Sequence, residues 1–319
     1  MKPADFWKNF NLGEELSLSG TFIYNGMRGF HEMRNLHNGD EAFLVLYNLS
    51  VGFERLLKIV VVLLEHNENV DQEELEKSLI THNHLELLNR IEKHAEVKLS
   101  EPHKGLFDLL GKFYKSTRYS RFTLSSVYRR DEELKRIREY LEKHLKTEVK
   151  PIEDFLAIEN TDHYKRFIRR TVLKISSSLF NIVKDKSSSL GLYTYELRYG
   201  SKAQIVFRGE YNPSDEDILW KELLIFLMNT EESSSYLEFL RGIPALDFDP
   251  EEIKEFLDCF QSDSEKARVM GHLDHLYMEL NSKDRGERLK LMKVIGSSNV
   301  FFDGPEDEID EEDKNADEM

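Results

Sequence analysis

The chain has a single cysteine, Cys259, among its 319 residues. An intrachain disulfide is therefore excluded, as is a zinc site built from several cysteines, and a reducing compartment is favoured. Long apolar runs are also missing, since the longest, Leu56 to Leu64, contains Lys58 and is too short to cross a bilayer. The first residues lack the apolar core of a secretory signal. We therefore expect a cytoplasmic protein with no membrane partner.

Glycine-rich phosphate loops, dinucleotide fingerprints and complete metal-ligand motifs are absent from the sequence, so no cofactor and no metal site is predicted. What the chain has in excess is acid, with a net charge of −16. The charge is segregated, because residues 303–319 hold ten acids and one lysine, whereas residues 112–150 hold twelve Lys or Arg and six Asp or Glu. The acidic tail has too few apolar residues to fold, and we expect it to be disordered. The basic stretch is the part suited to nucleic acid.

Hydrophobic periodicity predicts a mainly α-helical protein. Four segments with apolar residues every three and four positions, joined by short connectors, predict an antiparallel helical bundle over 41–150. The residues expected to share its core are Leu56, Leu88, Leu109 and Phe113. Residues 1–40 contain five glycines and are expected to form an irregular lead-in. After a connector at Pro151, a helical C-terminal domain is expected over 163–302, with a small β-hairpin around 193–211 where aromatic and β-branched residues flank a glycine.

Three short patterns follow one another inside this bundle. Glu54 is followed four residues later by Lys58 on the first long helix and can pair with it. The next helix begins with His84 and continues to Leu88, and the third ends in YKSTRY at 114–119. In these residues the block resembles the HEPN domains, helical modules of prokaryotic toxins, abortive-infection proteins and other defence proteins. The resemblance implies a stress or anti-phage defence role, dimerisation and, in many members, metal-independent endoribonuclease activity.

The resemblance also implies an arginine and a histidine as the catalytic pair, and Arg138 with His144 is the candidate pair in this block. A histidine can transfer the proton of the ribose 2′-OH, and an arginine can stabilise the charge of the transition state. Both residues lie in one predicted helix, where six positions turn two side chains about 120° apart. The alternative is two solvated residues on a charged helix, so an enzyme and a non-enzymatic RNA-binding protein both stay open.

Nucleic-acid contacts are predicted at the end of the third helix and along the fourth. Arg118 and Tyr119 either contact a phosphate or order the end of their own helix. The further basic candidates are Arg129, Arg130, Lys135 and Arg136. The alternative for these residues is a salt-bridged face formed with the neighbouring Asp and Glu side chains.

Self-association is expected through the first long helix or its neighbour. Tyr47, Phe53 and the run Val60–Val62 give this helix more apolar surface than one face requires. Either the rest of the chain or another copy must cover that surface. The alternative to an RNA-binding or RNA-cleaving protein is therefore a non-enzymatic interaction or scaffold subunit, which would bind a protein partner in a defence or regulatory complex.

Overall fold

A computed structural model describes residues 3–120, 122–124, 131–149, 158–261 and 263–302. The acidic segment 303–319 and the predicted binding residues Arg129 and Arg130 lie outside these residues. The chain divides into two compact units, Met1–Trp220 and Lys221–Met319. Within the described ranges, no helix is long and apolar enough to span a membrane.

The described residues are mainly helical and contain no β-strand. The helices of the first unit are α1 (Pro3–Phe6), α2 (Leu12–Glu32), α3 (Gly39–Glu65), α4 (Gln72–Ser78), α5 (His84–Glu92), α6 (Glu101–Lys112), α7 (Arg118–Ser120), α8 (Glu132–Leu145), α9 (Asp162–Ser189) and α10 (Lys202–Arg208). The division between the units falls within α11 (Pro213–Asn229), and the second unit continues with α12 (Ser235–Arg241), α13 (Ile253–Asp258), α14 (Asp263–Glu279) and α15 (Ser282–Val294). The described residues also hold π-helical turns at Trp7–Asn11 and Phe113–Thr117 and 3₁₀ turns at Tyr195–Leu197 and Cys259–Gln261.

The first forty residues are largely helical, so the predicted irregular lead-in is wrong. α2 runs antiparallel to α3, and the two helices approach closely at glycines. A Cβ atom on Gly52 would lie 3.0 Å from the backbone nitrogen of Ile23, and one on Gly26 would lie 2.6 Å from Cγ of Leu49. At the same crossing the hydroxyl of Ser19 donates to the carbonyl of Gly52 at 2.7 Å. Close packing thus outweighs the low helix propensity of glycine, on which the prediction depended.

α3 is the central helix of the first unit, where it packs against α2, α5, α6, α8 and α9. The four residues predicted to share a core do so: Leu56, Leu88, Leu109 and Phe113. α9 belongs to this same core, so the structure places no unit boundary at the Pro151 connector. Phe53 and Val60–Val62 are buried within the chain. The wide apolar surface of α3 is therefore covered by other helices of this chain, the first of the two possibilities that the sequence left open.

Residues 193–211 do not form the predicted β-hairpin, since they hold the 3₁₀ turn Tyr195–Leu197 followed by α10. The hydroxyl of Ser201 caps α10 by accepting from the backbone N–H of Gln204 at 3.2 Å. Gly209 ends the helix with a left-handed φ of 73°. The buried apolar residues, spaced three and four apart, are Ala203, Val206 and Phe207. Burying this helical face against α2 and α9 outweighs the strand preference of valine and phenylalanine.

The second unit has small aromatic clusters and a largely exposed surface. The ring of Phe256 lies 4.9 Å from that of Phe248 and 5.8 Å from that of His272, measured between centroids. The ring of Tyr236 lies 4.8 Å from that of Phe302. Cys259, beside α13, is buried.

Candidate nucleic-acid site

One face of α3 carries a mostly buried carboxylate with two basic partners. Glu54 Oε1 accepts a hydrogen bond from Nζ of Lys58 at 2.6 Å, and Oε2 lies 2.9 Å from Nδ1 of His82. The four-residue spacing places Lys58 beside Glu54 on the helix. His82 comes from the segment before α5, where Asn83 caps the helix by accepting from the backbone N–H of Glu86. The Glu54–Lys58 pair expected from the sequence thus has a third member.

The carboxylate of Glu54 fixes the tautomer of His82. An ionised carboxylate only accepts hydrogen bonds, so Nδ1 of the ring must carry the proton that it donates. In the neutral ring Nε2 is then an acceptor, and it faces away from Glu54. The side chain of His82 is half exposed. His82 is therefore a half-exposed histidine whose orientation is fixed by a carboxylate.

Tyr114 links His82 to a cation. The ring centroids of Tyr114 and His82 are 4.6 Å apart, and the guanidinium carbon of Arg118 lies 3.9 Å from the centroid of the same Tyr114 ring. Arg118 also lies 4.4 Å from the ring of Tyr119, which is 57 % exposed. These distances are typical of cation–π contacts. We call these residues the His82 cluster: Glu54, Lys58, His82, Tyr114, Arg118 and Tyr119.

A π-helical turn positions Arg118 over Tyr114. Phe113–Thr117 continues α6 with a wider turn, and the backbone N–H of Arg118 donates to the carbonyl of Phe113, five residues earlier. Phe113 is fully buried and packs edge-on against Phe43, which fixes the start of this turn in the core. Short π-helical turns within helices are frequent at functional sites. Nε of Arg118 is buried, and within the described residues it has no hydrogen-bond partner.

His84, the histidine of the HEPN-like pattern, is part of the packed interior. It is fully buried, and its Nε2 lies 2.9 Å from the carbonyl oxygen of Ser50 on α3. Burial lowers the pKa of His84, which keeps the ring neutral, so Nε2 donates to this carbonyl. The histidine that is exposed beside the cations is His82, two residues earlier, and the sequence analysis did not select it.

Arg138 and His144 both lie on α8, as predicted, but the structure does not bring them together. Nε of Arg138 lies 3.4 Å from the carbonyl of Leu134 on its own helix. His144 packs on Tyr140, with 4.8 Å between ring centroids, and lines a cavity of about 160 Å³ that Arg138 does not line. Burial also lowers the pKa of His144. Their catalytic role stays a prediction.

The two described basic candidates on α8 have acidic partners on the same helix. Nζ of Lys135 lies 3.8 Å from Glu139, and the guanidinium of Arg136 donates to Glu132 at 2.6 Å. This is the salt-bridged face that the sequence offered as the alternative to phosphate binding. A phosphate would have to displace these acids from Lys135 and Arg136. Arg118 of the His82 cluster, by contrast, is stacked on aromatic rings.

Comparison of the chain with protein-family models, with curated proteins and with solved structures finds no match. Within the part of the chain that the structure describes, no three His, Cys, Asp or Glu side chains are grouped to hold a metal ion. No related protein therefore assigns a role to the His82 cluster, and its geometry alone indicates what it can bind. The cluster consists of a histidine oriented by a carboxylate, an arginine held between aromatic rings, and an exposed tyrosine.

Proposed function

We propose that this chain is a HEPN-like, RNA-binding protein of a prokaryotic stress or anti-phage defence system, and that RNA binds at the His82 cluster. The observation that carries the proposal is that two motif residues distant in sequence, Glu54 and Arg118, meet at His82, which lies two residues before the His84 motif, on one partly exposed surface. An exposed tyrosine offers a stacking surface for an unpaired base, and an adjacent guanidinium offers phosphate contacts. Single-stranded RNA is the ligand that uses both.

The same cluster contains the groups that metal-independent RNA cleavage requires. Nε2 of His82 can take the proton of a ribose 2′-OH, whose oxygen then attacks the adjacent phosphorus while the bond to the 5′-oxygen breaks. The leaving 5′-oxygen receives a proton from His82 or from water. Arg118 can stabilise the negative charge on the phosphorus-bound oxygens. We therefore assign candidate cleavage to His82 and Arg118, and the predicted pair Arg138 and His144 becomes the competing assignment.

Binding and cleavage can be tested separately with the full-length protein. Fluorescence anisotropy with a labelled single-stranded RNA measures affinity, and gel analysis in the presence of a chelator measures cleavage. Arg118→Gln and Tyr119→Ala are each expected to weaken binding, since loss of a stacking contact amounts to about 1–3 kcal/mol. Lys135→Gln is the matched control, because it removes a charge that already has an acidic partner on α8. Unchanged RNA affinity in both cluster variants would refute the site.

Cleavage, where present, is expected to disappear in His82→Asn while RNA binding is retained. Asparagine can still donate to Glu54, so this variant removes the base without leaving the carboxylate unpaired. Cleavage that survives His82→Asn but is lost in Arg138→Ala and in His144→Ala would return the chemistry to α8. RNA binding without cleavage in the unaltered protein would identify a non-enzymatic RNA-binding protein.

An interaction subunit is the second candidate function, and α11 favours it. Five large apolar side chains of its second-unit portion are exposed by 46 % to 76 %: Leu223, Ile225, Phe226, Leu227 and Met228. Large apolar side chains grouped and exposed on one helix are typical of a protein-binding site. We expect a second copy of this chain as the partner. Light scattering at tens of micromolar should show a dimer that Phe226→Glu dissociates, and a monomer of the unaltered chain would contradict this second function.

A further inference from the structure

A second basic site lies in the first unit and shares no residue with the His82 cluster. A cavity of about 350 Å³ is bounded by residues of α2, by the first turns of α9, and by the start of α11. Its walls include His31 of α2 and Asn212 and Ser214 at the start of α11. The remaining wall is formed by α9, which has seven Lys or Arg and two Asp along its length.

Four cationic side chains of α9 line this cavity: Lys165, Arg166, Arg169 and Arg170. Their spacing places them on one helical face as two pairs, one turn or about 6 Å apart along the axis. Among the described residues, none of the four side chains has an ion pair or a hydrogen bond. Nε of Arg169 is buried without a partner in that part of the chain. Within the part of the chain that the structure describes, this wall of the cavity thus has a concentrated positive charge.

Two other half-buried arginines of the first unit, Arg55 and Arg90, are neutralised by acids. Arg90 donates to Glu65 through two nitrogens, and Arg55 pairs with Glu15. Acidic partners are abundant in a chain with a net charge of −16. Four adjacent cations without partners repel one another, and a bound anion removes that repulsion.

The described acids around the cavity do not neutralise the four cations of α9. Asp162 is the one acid among the residues that line it. The acids of the first turns of α11 have other partners, in the pairs Asn212–Asp215, Arg28–Glu216 and His31–Asp217. Among the described residues that line the cavity, four cations and one acid are therefore present, which gives this lining a net positive charge.

We infer that this cavity binds adjacent phosphate groups of a ribonucleotide. Guanidinium groups bind phosphate through paired hydrogen bonds, and two cation pairs one turn apart suit two phosphates rather than one. A volume of about 350 Å³ lies at the small end of ligand pockets and exceeds what a single phosphate fills. The phosphates belong either to a free nucleoside di- or triphosphate or to consecutive positions of an RNA strand. The inference does not depend on RNA binding at the His82 cluster.

Isothermal titration of the full-length protein with three probes tests the inference. The probes are a nucleoside triphosphate, the corresponding nucleoside, and a short oligoribonucleotide with a 5′-hydroxyl. We expect the triphosphate or the oligoribonucleotide to bind and the nucleoside not to bind. Binding of the triphosphate identifies a free nucleotide as the ligand, and binding of the oligoribonucleotide alone identifies an RNA strand. Absence of binding by both phosphate-bearing probes would overturn the inference.

Variants on α9 locate the binding. Arg169→Gln and Arg170→Gln should each weaken binding at least about tenfold, as expected for hydrogen bonds to a charged group. Lys174→Gln is the matched control, since Lys174 is exposed on the same helix and does not line the cavity. Arg170 is also exposed, so its replacement leaves the core intact. Equal losses in Arg170→Gln and Lys174→Gln would overturn the assignment to this cavity.

The His82 cluster provides the second control. Loss of oligoribonucleotide binding in Arg118→Gln, with none in Arg169→Gln or Arg170→Gln, would overturn the α9 assignment and leave the proposed function standing. The opposite pattern would refute RNA binding at the His82 cluster and support the α9 cavity.

Discussion

The crossing of α2 and α3 leaves no space for a side chain at Gly52, and replacing this glycine by alanine should destabilise the first unit. The new Cβ atom would lie 2.7 Å from Cγ1 and 3.0 Å from the backbone nitrogen of Ile23. The side chain of Ile23 can rotate, but its backbone moves only if α2 moves. Overpacking costs about 1–3 kcal/mol and alanine returns up to about 1 kcal/mol of helix propensity, so we expect a net loss of roughly 1–2 kcal/mol in the free energy of unfolding.

Gly20→Ala on α2 is the matched control for this substitution. The atom nearest to its new Cβ would be Cα of Ala203 at 3.5 Å, an ordinary contact, so this variant should be as stable as the unaltered chain or more stable. Both tryptophans of the chain, Trp7 and Trp220, lie in the first unit, so tryptophan fluorescence during urea denaturation reports on that unit. A Gly52→Ala variant with the same denaturation midpoint as Gly20→Ala would refute the argument from close approach.

Three further predictions concern pH, salt and the tail. Burial lowers the pKa of His84, so at acidic pH the unfolded chain binds a proton at this residue and the folded chain does not. The free energy of unfolding should therefore fall as the pH falls below about 6.5, by up to about 1.4 kcal/mol per pH unit. Urea denaturation at several pH values should show this slope, and His84→Gln should flatten it; an equal slope in the variant and the unaltered chain would contradict the prediction. The affinity for RNA should fall with salt, and Arg118→Gln should reduce the slope of log affinity against log salt by about 0.7, the value for one contact to a single strand; an unchanged slope would exclude a phosphate contact by Arg118. Deleting residues 303–319 should leave the melting temperature unchanged, because the segment has almost no apolar residue to bury, and a large decrease would show that it belongs to the fold.

The helices that begin with a clear cap could be placed from the sequence. Asp71 begins α4 by accepting from the backbone N–H of Glu74 at 3.0 Å, and Pro102 lies in the first turn of α6. Asp131 directly precedes α8, as its position in the sequence indicated, although its side chain makes no capping hydrogen bond. These signals act within a few residues, so they do not depend on the rest of the fold.

The elements that were predicted wrongly from composition are those whose secondary structure is determined by packing. Glycines lower the helix propensity of α2, but they allow it to lie against α3. Valine and phenylalanine favour a strand at 203–207, but their apolar side chains are spaced to bury one helical face. Two local signals for α10 were nevertheless present, namely Ser201 before the helix and Gly209 after it.

The candidate site could be predicted only in part for a related reason. The motif residues Glu54, Lys58 and Arg118 could be selected because their spacing is local. The contact of His82 with Glu54 depends on how the extended segment before α5 crosses α3, and no periodicity shows that crossing. The basic face of α9 is visible in its spacing, but whether described acids lie near Arg169 and Arg170 depends on the folded chain, and none of them pairs with either arginine.

The π-helical turn Phe113–Thr117 gives this part of the chain a tolerance to a change in length. Its backbone hydrogen bond joins residues five apart, so it holds one residue more than an α-helical turn. Removing one exposed residue from it, such as Ser116, would allow it to close as an ordinary α-helix and would leave the helix that follows in nearly the same register. The same deletion in a regular α-helix would rotate all following side chains by about 100°. A deletion of one codon in this turn can therefore leave Arg118 near the ring of Tyr114.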